Sequence, residues 1–528
     1  PKGTFIVKSF TTASVARLSD LAGFQALLAN NGRLAKGDVT EMRTPFFGDS
    51  DPEDVLNDLL DKIQGTEFDQ LENEEFKKCG PFKRSPYADY KGNVHAYFTD
   101  GNSKGDASTI SRAVNMVVGY LTQRIRSPKG LISLSEAYRS ARKNTNLGLP
   151  YLTNKWEPDV IRDYLGRAKR IVEGGRVKVY PFTLFHRSQP KGRTLWKDRV
   201  VWGSDHAETF AGLTALKPLL EMLRDVQGFE AWSGMDAVEL RAAQIFAAKR
   251  LYISTDFSSF DATVSPLMLK AAFDVIENIL PSSKEMLPAL FGYYTSGEIA
   301  TPEGLLQGYH GLPSGVTLTN MVGTLVQLLL MAITCEACGL DLEKVDFMFL
   351  GDDGVIAFPS RAEAEVHYAV AEQFGFIINR EKSSESEDSF SFLQRHFRRV
   401  LVVGNFCPGV YSGLRTLGRL IWTERGGFKL DDEILRDSFV KYDSGFWVLV
   451  AYMKLENCKR HPKFREIVSA AVRGDKYGLD PNLIGSRDKF ISSIKGYDTS
   501  DATPRTNGIA AFDSVRVAIE IRAELGLG

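Results

Sequence analysis

Three aspartates have the spacing to gather divalent cations. Phe347 to Phe358 reads Phe-Met-Phe-Leu-Gly351-Asp352-Asp353-Gly354-Val-Ile-Ala-Phe. Two apolar runs flank a tip with two adjacent carboxylates between glycines, the composition of a tight β-hairpin. Neither arm alternates cleanly, so both strands should be covered on both faces. An Asp-Gly turn alone demands no function, because both residues favour turns for conformational reasons. Two anions side by side at the tip of a buried hairpin do need a cation. Upstream, in Leu251 to Val264, a β-rich run ends in Asp256, with Asp261 five residues on. If Asp256 closes a strand beside the hairpin, three carboxylates converge at one end of a sheet. Hard oxygen ligands of this kind suit Mg²⁺, which binds through one or two carboxylates plus substrate phosphates. Two such ions about 3.5–4 Å apart clamp the attacking and leaving oxygens of a phosphoryl transfer. In outline this is a nucleotidyl-transfer site.

Between these stretches lies Gly311-Leu-Pro-Ser314-Gly315-Val-Thr-Leu-Thr319-Asn320, running into a long apolar segment. The ordered set Asp-x4-Asp, Ser-Gly-x3-Thr and Gly-Asp-Asp resembles motifs A, B and C of viral RNA-dependent RNA polymerases. The Pro-Ser-Gly form of the middle motif and the phenylalanine-rich context resemble most the polymerases of picobirnaviruses, with partitiviruses next. The region concerned, about residues 185–397, is under half of the chain.

The resemblance implies that Asp256 and Asp352 are the principal ligands of Mg²⁺, or of Mn²⁺ in its place, with Asp353 a secondary one. It implies that Asp261, Ser314 and Thr319 or Asn320 meet the ribose of the incoming nucleotide. A basic stretch, with Arg187, Lys191, Arg193, Lys197 and Arg199 interleaved with Pro190 and Trp196, suits an extended loop contacting phosphates. Its Lys197-x-Arg199-x-Val pattern resembles motif F, which would set Arg199 against the base and triphosphate. Lys382 stands where motif D lysines occur and would be the general acid for pyrophosphate. Phe392-Leu-Gln-Arg395-His-Phe resembles motif E, a hairpin at the primer strand, with Arg395 facing RNA. One departure is plain: where the family commonly carries Asn four residues after the motif B Thr, this chain has Gly323, and an Asn follows Thr319 directly as Asn320.

Positioning these groups takes a large body, and 528 residues at 43% hydrophobic composition can bury one. The expected fold is α+β, a closed right hand. Its palm is an antiparallel sheet backed by helices (246–265 and 310–407), its fingers are 1–245 with an N-terminal extension plus the insertion 266–309, and its thumb is a helical 408–528. The formal net charge of −1 does not argue against nucleic acid, since local distribution decides. Acidic residues around Asp51 to Asp61, spaced among Val55, Leu59, Leu60 and Ile63, predict an amphipathic helix with a negative outer face. Ser265-Pro266 starts a helix that runs to Pro281. Five scattered cysteines form no disulfide framework, and Cys335-Glu-Ala-Cys338 reads as helix packing. Met321 to Cys335 is too short to span a bilayer and reads as a buried helix ending near Gly339. The opening Pro1-Lys-Gly-Thr lacks a secretory signal pattern, and the absence of an initiator Met suggests processing or trimming.

The expected function is RNA-directed RNA polymerisation for replication and transcription of a viral genome. Its partners would be template and product RNA, ribonucleoside triphosphates and the viral capsid protein, with no membrane. The protein would act as a monomer in the virion interior and host cytoplasm. A reverse transcriptase would share the metals, but that family has a bulky aromatic in place of Asp261 and Tyr-x-Asp-Asp at the hairpin. A non-enzymatic viral structural protein would leave the three carboxylates unexplained.

Overall fold

The computed structural model describes residues 4–8, 43–48, 50–83, 85–99, 104–143, 145–380, 383–423, 444–484 and 512–527. Lys382, the acid expected from motif D, lies outside them. The described strands are β1 Ile6–Lys8, β2 Phe182–Pro190, β3 Trp196–Gly203, β4 Leu251–Thr255, β5 Ile299–Thr301, β6 Gly304–Gln307, β7 Asp346–Leu350, β8 Asp353–Phe358, β9 Ser384–Ser386, β10 Ser389–Phe392 and β11 Arg395–Arg398.

Strands β7, β8, β4 and β9 make an antiparallel sheet in that order. One face sends Ile253, Phe347, Phe349, Ile356 and Phe358 into the largest core. The other packs Tyr252, Met348, Val355 and Ala357 against Phe246, Phe390, Phe392 and Phe397, from helix Met235–Phe246 and the β10–β11 hairpin. Cover on both sides removes any reason for polar alternation along the arms. Strand β9 occupies the far edge, where Phe376 to Asn379 reads as a strand. That stretch makes only the isolated bridge Phe257–Ile378.

Helix Thr319–Cys338 lies behind the sheet and ends at Gly339, whose φ of 65° lets its N–H turn back to Cys335 and Glu336 carbonyls. At 20 residues it is longer than the segment read from the sequence, and by length and composition it could cross a membrane. Here every side chain from Met321 to Cys335 is buried within the protein. Ser265 caps helix Pro266–Ile279 as expected, its hydroxyl accepting from Met268 N–H.

A second sheet, ordered β1-β6-β5-β2-β3, contains the basic stretch. Where an extended loop was expected, β2 and β3 form a ribbon paired from Thr183–Gly203 to Pro190–Trp196.

Helix Pro52–Ile63 is amphipathic as read, burying Leu56, Leu59 and Ile63. Its partners were not legible: it shares a core with helices Gly413–Ile421, Ser444–Glu456, Phe464–Gly474 and Asp513–Glu524. The packing therefore joins residues 46–79 to the last helices, although the chain order groups them with the fingers. Glu72 fixes the junction. Fully buried, its carboxylate accepts from Gly413 N–H and Leu414 N–H, both at 2.9 Å, and from the Ser412 hydroxyl at 2.7 Å. These are orphan donors at the start of helix Gly413–Ile421, where an anion is favoured.

Candidate active site

Strand β4 pairs with β8 so that Thr255 faces Gly354, and one more step in that register sets Asp256 opposite Asp353. The Asp256 backbone is held on its other side: its N–H donates to Ser383 Oγ at 3.1 Å, and its carbonyl accepts from Asn379 N–H at 2.7 Å. Leu350 pairs with Asp353, so the hairpin turn is only Gly351-Asp352, shorter than the four-residue tip read from the sequence. Gly351 has φ 63°, the conformation a two-residue turn with glycine first requires. The arms are buried, but Asp256 and Asp352 are exposed and Asp353 half-buried, which corrects the expectation of a buried pair. Burial, followed by repulsion from Asp352 and Asp256, raises the Asp353 carboxyl to about 6.

Asp261 sits in the short helix Phe260–Thr263. Burial and then Asp352 push its carboxyl up to about 7, with Arg199 opposing. Among the described residues, no three His, Cys, Asp or Glu side chains could hold a metal ion by themselves. The donor set nevertheless fits divalent cations that complete their shells with nucleotide phosphates. Three carboxylates at one sheet end repel one another until a cation screens them.

The central helix touches the turn through Asn320, Gly323, Thr324 and Gln327, one stripe at helical spacing. A Cβ on Gly323 would lie 3.2 Å from Gly351 Cα, so the family's asparagine has no room here. The Thr324 hydroxyl accepts from Gly351 N–H at 2.8 Å. The buried Gln327 amide donates to the carbonyls of Gly351 (2.7 Å) and Asp353 (3.0 Å). Sequence reading missed both as site residues; their only signal was polarity inside an apolar helix. Asn320 accepts from Trp232 Nε1–H at 3.4 Å and lies beside Gly351.

The loop before this helix is bound to β3. Ser314 donates its proton to Val200 O at 3.1 Å, and a Cβ on Gly315 would meet Trp202 O at 2.0 Å, so only glycine fits there. Thr319 donates to backbone carbonyls of Pro313 and Val316. Behind the loop, buried Glu208 accepts from Thr317 N–H at 3.0 Å.

Alternation along the ribbon sorts its cations. Arg187 pairs with Arg199 and Gln189 with Lys197, so three cations share one face, and all three are exposed. The opposite face carries His186, stacked on Tyr90 at 4.3 Å, and Asp198, which accepts from Ser85 Oγ at 2.7 Å. Arg199 acts electrostatically on Asp261 and Asp353, so this face overlooks the carboxylates. Lys191 is exposed at the tip. Arg193 departs from the expected nucleotide contact: its guanidinium lies 4.8 Å over the Trp422 ring and 3.6 Å from Glu53, fastening the tip to the last helices. Arg395 is buried too, donating to Asn457 Oδ1 at 2.8 Å, and so ties the β10–β11 hairpin to helix Ser444–Glu456 and the turn after it rather than presenting a face to RNA.

Comparison with known proteins agrees with this geometry. Residues 83–406 match the family model of viral RNA-dependent RNA polymerase. The potential RNA-dependent RNA polymerase of a human picobirnavirus (strain Human/Thailand/Hy005102/-) is 27% identical over 504 residues, 90% of this chain and 88% of that one. The RNA-directed RNA polymerase of Cryptosporidium parvum virus 1 (strain KSU-1) is 26% identical over 50% of this chain and 53% of its own. The fold is that of a human picobirnavirus polymerase crystal structure, with a TM-score of 0.77, 24% identity and coverage of 98% of this chain and 100% of that chain. A match over more than half of the chain, on the residues that carry the carboxylates and the basic ribbon, makes this chain a member of the viral RNA-dependent RNA polymerase family, and its enzyme activity RNA-directed RNA polymerisation.

Proposed function

We propose that the enzyme replicates and transcribes a viral RNA genome by two-metal-ion nucleotidyl transfer at Asp256, Asp352 and Asp353. The observation that carries this is the convergence of those carboxylates at one end of the sheet, facing the cationic side of the β2–β3 ribbon. Polymerases of this family use divalent metal ions, and Mg²⁺ is the expected one, with Mn²⁺ able to replace it. Held by Asp256 and Asp352, with Asp353 in a lesser share, the ions would lower the pKa of the primer 3′-hydroxyl and steady the departing pyrophosphate.

The rest falls to the chain itself. Arg187, Lys197 and Arg199 neutralise the triphosphate, and Lys191 meets phosphate at the entrance. Asp261 reads the ribose, with Ser314, Thr319 and Asn320 lining the same end. Lys382 protonates the pyrophosphate; its neighbour Ser383 is bonded to Asp256. Rate arises from positioning and preorganised charge. Residues 246–265 and 310–407 serve as palm, 1–245 and 266–309 as fingers, and 408–528 as thumb, with 46–79 bracing the thumb. The enzyme acts as a monomer in the virion interior and host cytoplasm, beside the capsid protein.

The test is Asp352→Ala, assayed with single-stranded RNA, four ribonucleotides and Mg²⁺. Template-directed product should vanish while RNA binding and melting temperature hold. Product above a few per cent of wild type would remove Asp352 from the chemistry, and a wild type preferring deoxynucleotides would overturn the polymerase reading.

A further inference from the structure

We infer that Glu208 is a positioning residue for polymerisation: from beneath the loop 313–318, its carboxyl group fixes where Ser314, Thr319 and Asn320 stand beside the incoming nucleotide. This rests on the proposed placing of those three residues at the nucleotide sugar.

Both ends of the loop are set by neighbours in the site. At its start Leu312 N–H donates to Asp261 O at 2.8 Å. Beyond its end Asn320, in the first turn of helix Thr319–Cys338, lies beside Gly351. Between them residues 313–318 belong to no helix or strand, and Leu318, at the N-cap of the helix, makes no side-chain cap.

Glu208 supplies what the loop lacks. It stands in the first turn of helix His206–Leu223 and is fully buried. Its Oε1 accepts from Thr317 N–H at 3.0 Å and from the Tyr294 hydroxyl at 2.5 Å, and its Oε2 accepts from the Thr317 hydroxyl at 3.3 Å. Tyr294, also fully buried, comes from helix Leu287–Ser296. One turn on from Glu208, a Cβ on Gly212 would lie 2.7 Å from Thr317 Cβ. The helix therefore bears directly on Thr317, with Glu208 and Gly212 on one face. The strand before this helix holds the preceding residues: Ser314 donates to Val200 O at 3.1 Å, and Ser204 donates to Gly315 O at 3.4 Å. Gly315 and Asn320 are exposed. The loop is thus gripped at Ser314, Gly315 and Thr317 from one side and open on the other.

Donor counting assigns the role. Glu208 receives one backbone N–H and two hydroxyls, and a single carboxyl oxygen has the lone pairs to accept two of them. Without it Thr317 N–H and the Tyr294 hydroxyl lose their acceptor in a dry place, so the loop must shift to satisfy them. The groups displaced are those that meet the nucleotide. Thr324 and Gln327, which hold Gly351 and Asp353, lie further along the helix. The loss therefore falls on nucleotide binding more than on the chemical step.

The test is single-nucleotide incorporation on a primed RNA template, with ribonucleotide concentration varied, for Glu208→Leu, Glu208→Gln and Tyr294→Phe. Ser314→Ala is run alongside, and melting temperature is measured for each. Glu208→Leu should raise ribonucleotide KM about 10-fold or more while kcat changes less than about threefold. Glu208→Gln should stay within about threefold of wild type in both, because its amide oxygen can take the two bonds made by Oε1 and its NH₂ can donate to the Thr317 hydroxyl oxygen. Tyr294→Phe removes one oxygen and should raise KM by about threefold; it decides the matter if Glu208→Leu does not fold. A merely structural Glu208 would lower melting temperature and kcat with KM unchanged, which would overturn the inference. Glu208→Gln as impaired as Glu208→Leu would refute its hydrogen-bond basis. If Ser314→Ala raises KM while Glu208→Leu and Tyr294→Phe leave it within about twofold of wild type, the inference fails alone. If all of these variants leave KM unchanged, the reading of the loop as nucleotide-binding fails with it.

Discussion

Gln327→Leu removes the two hydrogen bonds that bracket Asp352 while keeping a side chain of similar volume at a position only 3% exposed. The amide donates to the carbonyls of Gly351 and Asp353, the residues on either side of Asp352. Leaving a buried acceptor unpaired costs about 1–3 kcal/mol. The Gly351 carbonyl bears that in full; the half-buried Asp353 carbonyl regains part of it from water. Added leucine burial returns about 1 kcal/mol. The net loss should be about 1–4 kcal/mol, seen as a lower unfolding midpoint. The effect on rate should be larger than that figure suggests, because a carboxylate displaced by about 1 Å can cost about 100-fold. Single-turnover elongation across a Mg²⁺ titration should therefore show a fall in the chemical step and a weaker metal response. Gln327→Glu should be slower still at neutral pH, since a carboxylate would face two carbonyl oxygens and the aspartates. A Gln327→Leu enzyme that elongates within twofold of wild type and melts within about 1 °C of it would refute the claim that this amide holds the turn.

The two faces of the ribbon separate in mutation. Arg199→Ala should raise nucleotide KM and lower kcat with little change in stability, whereas Arg193→Ala should loosen the contact with Trp422 and Glu53 and lower the melting temperature first; similar profiles for both would contradict the division. The raised carboxyls set a pH dependence. Native Asp353 and Asp261, at about 6 and about 7, hold protons that the unfolded chain has released above about pH 4. Their contribution to the stability of the metal-free protein therefore falls as pH rises from about 4 to 7. Metal needs the ionised forms, so Mg²⁺ affinity measured calorimetrically should increase from pH 6 to pH 8, and equal affinities at the two values would count against it.

The parts of the site that were legible are those in which a few consecutive residues decide the local backbone. Gly351 supplies the positive φ of a two-residue turn, Ser265 caps its helix and Gly339 ends another. The three carboxylates could be read as a group because a strand end and a hairpin tip are both marked in sequence. Gly323 looked like a departure until the helix was seen lying on Gly351. The basic stretch was read as a loop because Pro190 and the run of cations suggested one, whereas pairing with a partner strand keeps Pro190 at the strand end and sorts the cations by face.

By itself, then, the sequence determined the chemistry available, the order of the motifs and the helix ends marked by Ser265 and Gly339, all of which rest on short-range propensity and turn geometry. Tertiary structure alone decided the partners. Leu56, Leu59 and Ile63 announce a buried face, but the core that covers them comes from residues beyond 410. Arg193 and Arg395 read as nucleic-acid contacts until Trp422 and Asn457 took their guanidinium groups. Periodicity reports that a side chain is buried or that a charge is exposed; which distant atoms complete its contacts depends on how the whole chain closes, and no local pattern encodes that.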